Sequence, residues 1–327
     1  GGKRDRFGRF LYEFSSNKDV FEPVVSNYLV RQGFLNVEWP ENHKFAACLT
    51  HDVDQVYPTW KYTLFTATKF GLNLRPKEGL KRLVSKVEKS RLSNPCWNFE
   101  KILKLEERYG AKSSFYFKTT SRDPVGWTYI IEELKDELSY ITDMGWEVGL
   151  HGGYYSYDNL EKLRKEKNRL EKALGKKVTG IRMHYLRFQV PDTWRLLADL
   201  GFKYDTTFGY PDVAGFRNGM CHPFKPYDLE VEKEIDILEI PLTVMDGTLF
   251  GSMHLNPSEA WRIVKKLIEV TERNRGVITI LWHNNIFDEI FWGKWAKLYE
   301  RILRYLNERK AWMTSAEDIY KFWISRR

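Results

Sequence analysis

From Phe45 onward, short β-prone runs alternate with amphipathic helical runs, and this alternation constrains the fold more than any other feature of the chain. The strand candidates are Phe45–Thr50, Ser113–Thr119, Glu147–His151, Thr179–His184, Tyr204–Thr207, Ile237–Val244, Val277–His283 and Ala311–Thr314. Helical stretches lie between most of them. Leu160, Leu163, Leu170 and Leu174 share one helical face. Asn256-Pro257-Ser258-Glu259 reads as an N-cap, a proline at the first helical position and an acidic first turn. Strands alternating with helices predict parallel βαβ units. Seven or eight such units in one stretch predict an α/β fold closed into a distorted (β/α) barrel of seven or eight parallel strands, with a doubly wound open sheet as the alternative. A chain of 327 residues with 43% hydrophobic content can bury the core this needs. Residues 1–44 are expected to be irregular, an N-terminal extension or the remnant of an upstream region. Residues 45–327 are expected to form the barrel domain, carrying a basic insertion at about 55–97.

Reactive side chains recur at the C-terminal ends of these strands. The first ends Thr50-His51-Asp52-Val53-Asp54, the third ends in His151, and the fourth holds Arg182-Met183-His184. Asp205 lies on the fifth, and the strand through Leu281 ends Trp282-His283-Asn284-Asn285. In parallel barrels this is the functional end. One such residue would mean little, because a lone histidine or acidic turn is more often structural; five strands ending this way mark a site. Residues two apart on a strand share a face. Asp52 and Asp54 therefore point together into the mouth while His51 turns away, and Arg182 and His184 share a face on the neighbouring strand. Two carboxylates so close call for a cation, either a divalent metal or an arginine.

Charge and composition narrow the partners. Of the net charge of +8, a surplus of seven lies between Trp60 and Leu92, where nine Lys or Arg face two acids. The rest is near neutral, which argues against nucleic acid. Leu80, Leu83, Val84 and Val87 share a helical face, with Lys81, Arg82, Lys86 and Lys89 around the remainder. Such a segment suits an anionic membrane surface, or the phosphate of a lipid-linked or nucleotide-linked sugar; the alternative is a helix packed on the barrel with a solvated charged face. The three cysteines, Cys48, Cys96 and Cys221, form no disulfide framework and point to a reducing compartment. No signal peptide is evident, and no apolar run approaches the roughly 18 residues of a membrane span. The expected location is cytoplasmic, peripheral to the inner membrane face. Oligomeric state is not legible.

At these strand ends the chain resembles carbohydrate esterase family 4, the polysaccharide deacetylases with a nodulation-type deacetylase domain, over roughly Phe45 to Trp323. Thr50-His51-Asp52-Val53-Asp54 looks like the family's base-and-ligand aspartate pair with one residue inserted. His151-Gly152-Gly153-Tyr154-Tyr155 keeps the first histidine of the metal motif and has Tyr155 at the second. Gly180-Ile181-Arg182, Tyr204-Asp205 and Leu281-Trp282-His283 match the remaining motifs. Other stretches, including the strand end Val244-Met245-Asp246, look like a divergent branch that accompanies surface-polysaccharide biosynthesis. The resemblance implies a deacetylase-type barrel and a metal-dependent hydrolase removing acetyl from an N-acetylated sugar of a surface glycan or its precursor. The competing classes are a non-catalytic glycan-binding barrel that has lost its metal site, and a metal hydrolase of another amide. By resemblance Asp52 is the general base, Arg182 its aiming partner, His283 the acid, and Asp205 a supporting residue near His283 or the substrate amine. Asp54 and His151 hold a divalent metal, with zinc foremost for a His and Asp shell. A catalytic zinc generally wants three protein ligands. His184, two residues after Arg182 on the same face, is expected as the third, with Tyr155 and His254 as alternatives.

Overall fold

The computed structural model describes residues 3–72, 75–87, 94–120, 123–124 and 129–326. The strands are β1 (Phe45–Val53), β2 (Ser114–Phe117), β3 (Glu147–Gly152), β4 (Gly180–Met183), β5 (Tyr204–Asp205), β6 (Tyr227–Asp228), β7 (Lys233–Glu234), β8 (Leu238–Glu239), β9 (Leu242–Met245), β10 (Val277–Leu281) and β11 (Ala311–Thr314). All but β6 and β7, a small antiparallel hairpin, pair in parallel in one curved sheet ordered β8-β5-β4-β3-β2-β1-β10-β9, with β11 also on β1. The fold is a distorted (β/α) barrel, as expected from the alternation.

The helices are α1 (Val24–Arg31), α2 (Trp60–Leu72), α3 (Pro76–Val87), α4 (Phe99–Glu107), α5 (Lys135–Asp143), α6 (Leu160–Leu174), α7 (Asp192–Asp199), α8 (Pro257–Arg273), α9 (Glu289–Glu308) and α10 (Ala316–Ser325). The expected cap of α8 is present in full. The Asn256 side chain accepts from Ser258 and Glu259, and Glu259 reaches back to the Asn256 N–H.

Two expectations need correction. The single strand expected over Ile237–Val244 is two strands, β8 and β9, with Ile240 and Pro241 between them. Proline has no N–H to extend a ladder. Here the chain crosses the seam of the barrel, since β8 and β9 stand at opposite ends of the pairing order. Residues before Phe45 are also more ordered than expected. They include α1, whose Ser26 is buried against Met220 and Cys221, and Trp39, which stacks on Phe322 of α10 at 4.9 Å.

β1 is buried along all nine residues and is held by three strands, β10, β11 and β2. Its period of two sends alternate side chains to opposite faces. His51 accordingly leaves the mouth and enters a polar knot outside the sheet. There His51 Nε2 lies 2.8 Å from Glu106, and its Nδ1 lies 2.6 Å from the Trp282 carbonyl. Tyr299, Trp146 and Ser113 also donate to Glu106, at 2.6, 2.7 and 2.7 Å. Burial alone would raise the Glu106 carboxyl, but His51 and these donors hold it below its ordinary value. The knot ties α4, α9 and β1.

Glu106→Ala is expected to cost about 3–5 kcal/mol at neutral pH, because it strands buried donors and a buried histidine. A depressed carboxyl pKa stabilises above the unfolded value, near 4.5, and that contribution fades as pH falls through the folded value. Urea unfolding of the variant and parent at neutral and acid pH measures both; equal midpoints at neutral pH would contradict the role.

Candidate active site

The C-terminal rim of the barrel gathers the strand-end residues singled out in the sequence. Asp52 and Asp54 both face a pocket of about 250 Å³, joined by His151, His184 and His283. Arg182 lies beneath, fully buried. Its Nη1 donates to Thr50 Oγ1 at 2.7 Å and to Asp52 at 3.1 Å, and its Nε donates to the Thr206 carbonyl at 3.1 Å. Its guanidinium also lies 4.9 Å from the centre of the Tyr116 ring. One side chain thereby fixes the orientation of Asp52.

The histidines are oriented by partners on their far nitrogens. His151 Nδ1 donates to the Arg182 carbonyl at 2.9 Å, which leaves Nε2 as a lone pair facing inward. His184 Nδ1 meets Asp123 at 2.8 Å and likewise turns Nε2 inward. The two Nε2 atoms stand 3.3 and 3.4 Å from the same oxygen, Asp54 Oδ1. Ligand atoms of Asp54, His151 and His184 all lie within 4.8 Å of one another. Asp54 Oδ1 and both Nε2 atoms are buried without a hydrogen-bond partner. Such orphaned acceptors are costly unless something sits among them. An imidazole pair and one carboxylate, each braced from behind, fit a divalent cation. Burial pushes the Asp54 carboxyl up, but His184 and Lys118 outweigh it and hold it well below the usual range.

His283 stands across the mouth. Its Nδ1 contacts Asp246 at 2.7 Å, its backbone N–H donates to the same carboxylate at 2.8 Å, and its Nε2 lies 3.6 Å from Asp54. Burial draws the imidazole down, yet the carboxylates, Asp246 first, raise it to about 10. The Asp246 carboxylate thus favours the protonated form of the ring, the form that can donate a proton.

Asp205 does not contact His283, contrary to expectation. Its carboxylate accepts from Thr207 N and Oγ1 at 3.0 and 2.6 Å and is buried beside Glu239. The reason is strand order. β5 lies five strands from β10, whereas β9 is adjacent to β10 and delivers Asp246. Tyr155 is also outside the site. It is 52% exposed and packs under Lys162. His254 is exposed in the loop before α8, and His51 belongs to the Glu106 knot.

Three members of the site were not assigned from sequence. Asp246 stood within a noted strand end but had no role. Lys118 directly follows β2; its Nζ is buried, without a hydrogen-bond partner, 3.6 Å from Asp54. Its strand-end position was the available signal. Asp123 lies in a connection with no periodicity to announce it. The N-terminal segment also contributes, since Arg9 lines the pocket and lies over Tyr185.

No protein-family model matches the sequence, and no curated protein matches it. Solved structures do. A Mycobacterium smegmatis protein assigned to the polysaccharide deacetylases superposes with a TM-score of 0.60 at 16% identity, covering 89% of this chain and 93% of its own. A Pseudomonas aeruginosa protein with the same assignment superposes with a TM-score of 0.60 at 15% identity, covering 98% of both chains. The barrel described above is thus the polysaccharide deacetylase fold.

If the triad binds the metal, His184→Ala should empty the site under mild chelation, while Tyr155→Phe should retain it. Metal content of the purified variants decides this; the opposite pattern would move the third ligand to Tyr155.

Proposed function

We propose that this protein is a metal-dependent deacetylase acting on an N-acetylated sugar of a surface glycan or its precursor, free or carried on a lipid or nucleotide. The observation that carries the reading is the set of inward, orphaned acceptors on Asp54, His151 and His184, flanked by the Arg182-bound Asp52 on one side and the Asp246-bound His283 on the other. Zinc suits two imidazoles and a carboxylate. A divalent ion there would polarise the acetyl carbonyl and make a bound water more acidic.

The chain's own groups supply the proton transfers. Asp52, aimed by Arg182, accepts a proton from the attacking water. His283, fixed by Asp246, which favours its protonated form, donates a proton to the departing nitrogen. One water is consumed, and the products are acetate and a free amine. The base is partnered by an arginine and the acid by a carboxylate. All three cysteines are free and buried, which suits a reducing compartment, and the reading extends to a cytoplasmic enzyme.

Acetate release from N-acetylated sugars, compared with simple amides, tests the substrate class; turnover of amides alone would redirect the reading. Asp52→Asn should reduce release by roughly 100- to 10,000-fold with metal occupancy intact, and a variant keeping half of the parent rate would remove Asp52 as base. His283→Ala should lower turnover far more than metal content. Asp246→Asn withdraws the carboxylate that raises His283, so the alkaline limb of the pH–rate profile should move to lower pH. An unmoved limb would detach Asp246 from the acid.

A further inference from the structure

The α2–α3 hairpin leaves one face apolar and uncovered. Trp60, Leu64, Phe65 and Leu72 on α2, with Leu80 and Val84 on α3, are between 43% and 85% exposed. They make up six of the seventeen large apolar side chains that the described residues expose. The opposite face of the hairpin is already occupied. Tyr62 donates to Asp288 at 2.7 Å, Arg82 donates to the same carboxylate at 2.6 Å, and Phe70 is buried. The two helices approach closely where Gly79 meets Ala67; a Cβ on Gly79 would lie 2.8 Å from the Ala67 carbonyl oxygen. The exposed residues are therefore not the inner face of a loosely placed helix. They are what remains outside once the hairpin has packed.

The charge on this element is one-sided. Lys61, Lys77 and Lys81 are exposed among the apolar side chains, and Lys86 lies 5.7 Å from the Trp60 ring centre. Among the described residues of the hairpin the single acid is Glu78, which Arg75 meets at 3.5 Å. Lys89 and Arg91, also part of the basic stretch, lie outside the described residues, as does the Val87 side chain. A solvated helix face would carry charges of both signs and few large apolar groups. A face combining tryptophan, phenylalanine and leucine with unopposed lysines matches an anionic bilayer surface, where apolar side chains enter the headgroup boundary and ammonium groups meet lipid phosphate.

We propose that the outer face of the α2–α3 hairpin docks this protein onto an anionic lipid bilayer. The hairpin leaves β1 six residues after Asp54 and is pinned to Asp288, five residues after His283. Docking therefore holds the pocket rim beside the membrane surface. No helix among the described residues is long and apolar enough to cross a membrane, so the contact is peripheral. The inference rests on the surface alone and stands or falls independently of the reaction at the pocket.

The test is cosedimentation of the intact protein with vesicles of mixed phosphatidylglycerol and phosphatidylcholine, and with phosphatidylcholine alone, over a range of salt. Binding is expected to the mixed vesicles only, and to weaken with salt. Neutralising Lys77 and Lys81 as Lys77→Gln and Lys81→Gln should lower affinity by about five-fold per lysine. Leu64→Glu with Leu80→Glu should abolish binding while circular dichroism stays unchanged. If that pair disturbs folding, the lysine variants still decide the question, because their side chains are exposed. Absent binding, binding that the lysine variants leave unaltered, or a concentration-dependent dimer that Leu64→Glu dissociates would each overturn the proposal.

Discussion

The buried guanidinium of Arg182 is the constraint on which the site depends. A fully buried positive charge is costly unless it is hydrogen-bonded and has an opposite charge nearby. Here Thr50 and Asp52 from β1 take Nη1 and the Thr206 carbonyl beside β5 takes Nε, with the Tyr116 ring beneath, while Nη2 is buried without a hydrogen-bond partner. The same residue's own carbonyl receives His151. One arginine thus orients both Asp52 and His151. Asp205 gains its meaning from this arrangement too. Buried beside Glu239 and within the field of Arg182, it is part of the barrel's charge balance and not of the mouth.

Around Asp54 the protein concentrates positive or metal-ready groups to an extent that no single contact explains. His151, His184 and Lys118 all approach the same carboxylate oxygen, and His283 approaches the other. The histidines cannot rotate away, because each far nitrogen is engaged by a carbonyl or a carboxylate. Preorganisation of this kind costs stability, since buried acceptors lack partners. The barrel offsets that cost elsewhere, notably in the Glu106 knot, which secures the same strand from its opposite face.

The parts that surround the barrel are tied to its functional end. The N-terminal segment reaches the pocket through Arg9, with Phe7 against Tyr185 at 5.0 Å. The hairpin after β1 is fastened to the loop that follows His283. Elements that look peripheral in chain order are therefore structural neighbours of the site, because parallel strands bring all their C-terminal ends to one rim.

Sequence by itself determined the architecture and most of the mouth. Alternating runs specify parallel βαβ units, and a period of two decides which side chains share a face. Asp52 with Asp54, and Arg182 with His184, were legible for that reason, as was the outward turn of His51. Only the tertiary structure decided the partners. Asp246 rather than Asp205 serves His283 because β9, not β5, lies beside β10. Asp123 and Lys118 enter the site through a connection and a strand end whose placement no local pattern encodes. The strand expected over Ile237–Val244 divides at Pro241 because the barrel's seam falls there. Local periodicity fixes where a side chain points along its own strand; what it meets there depends on strand order and closure, which arise from contacts between residues far apart in the chain.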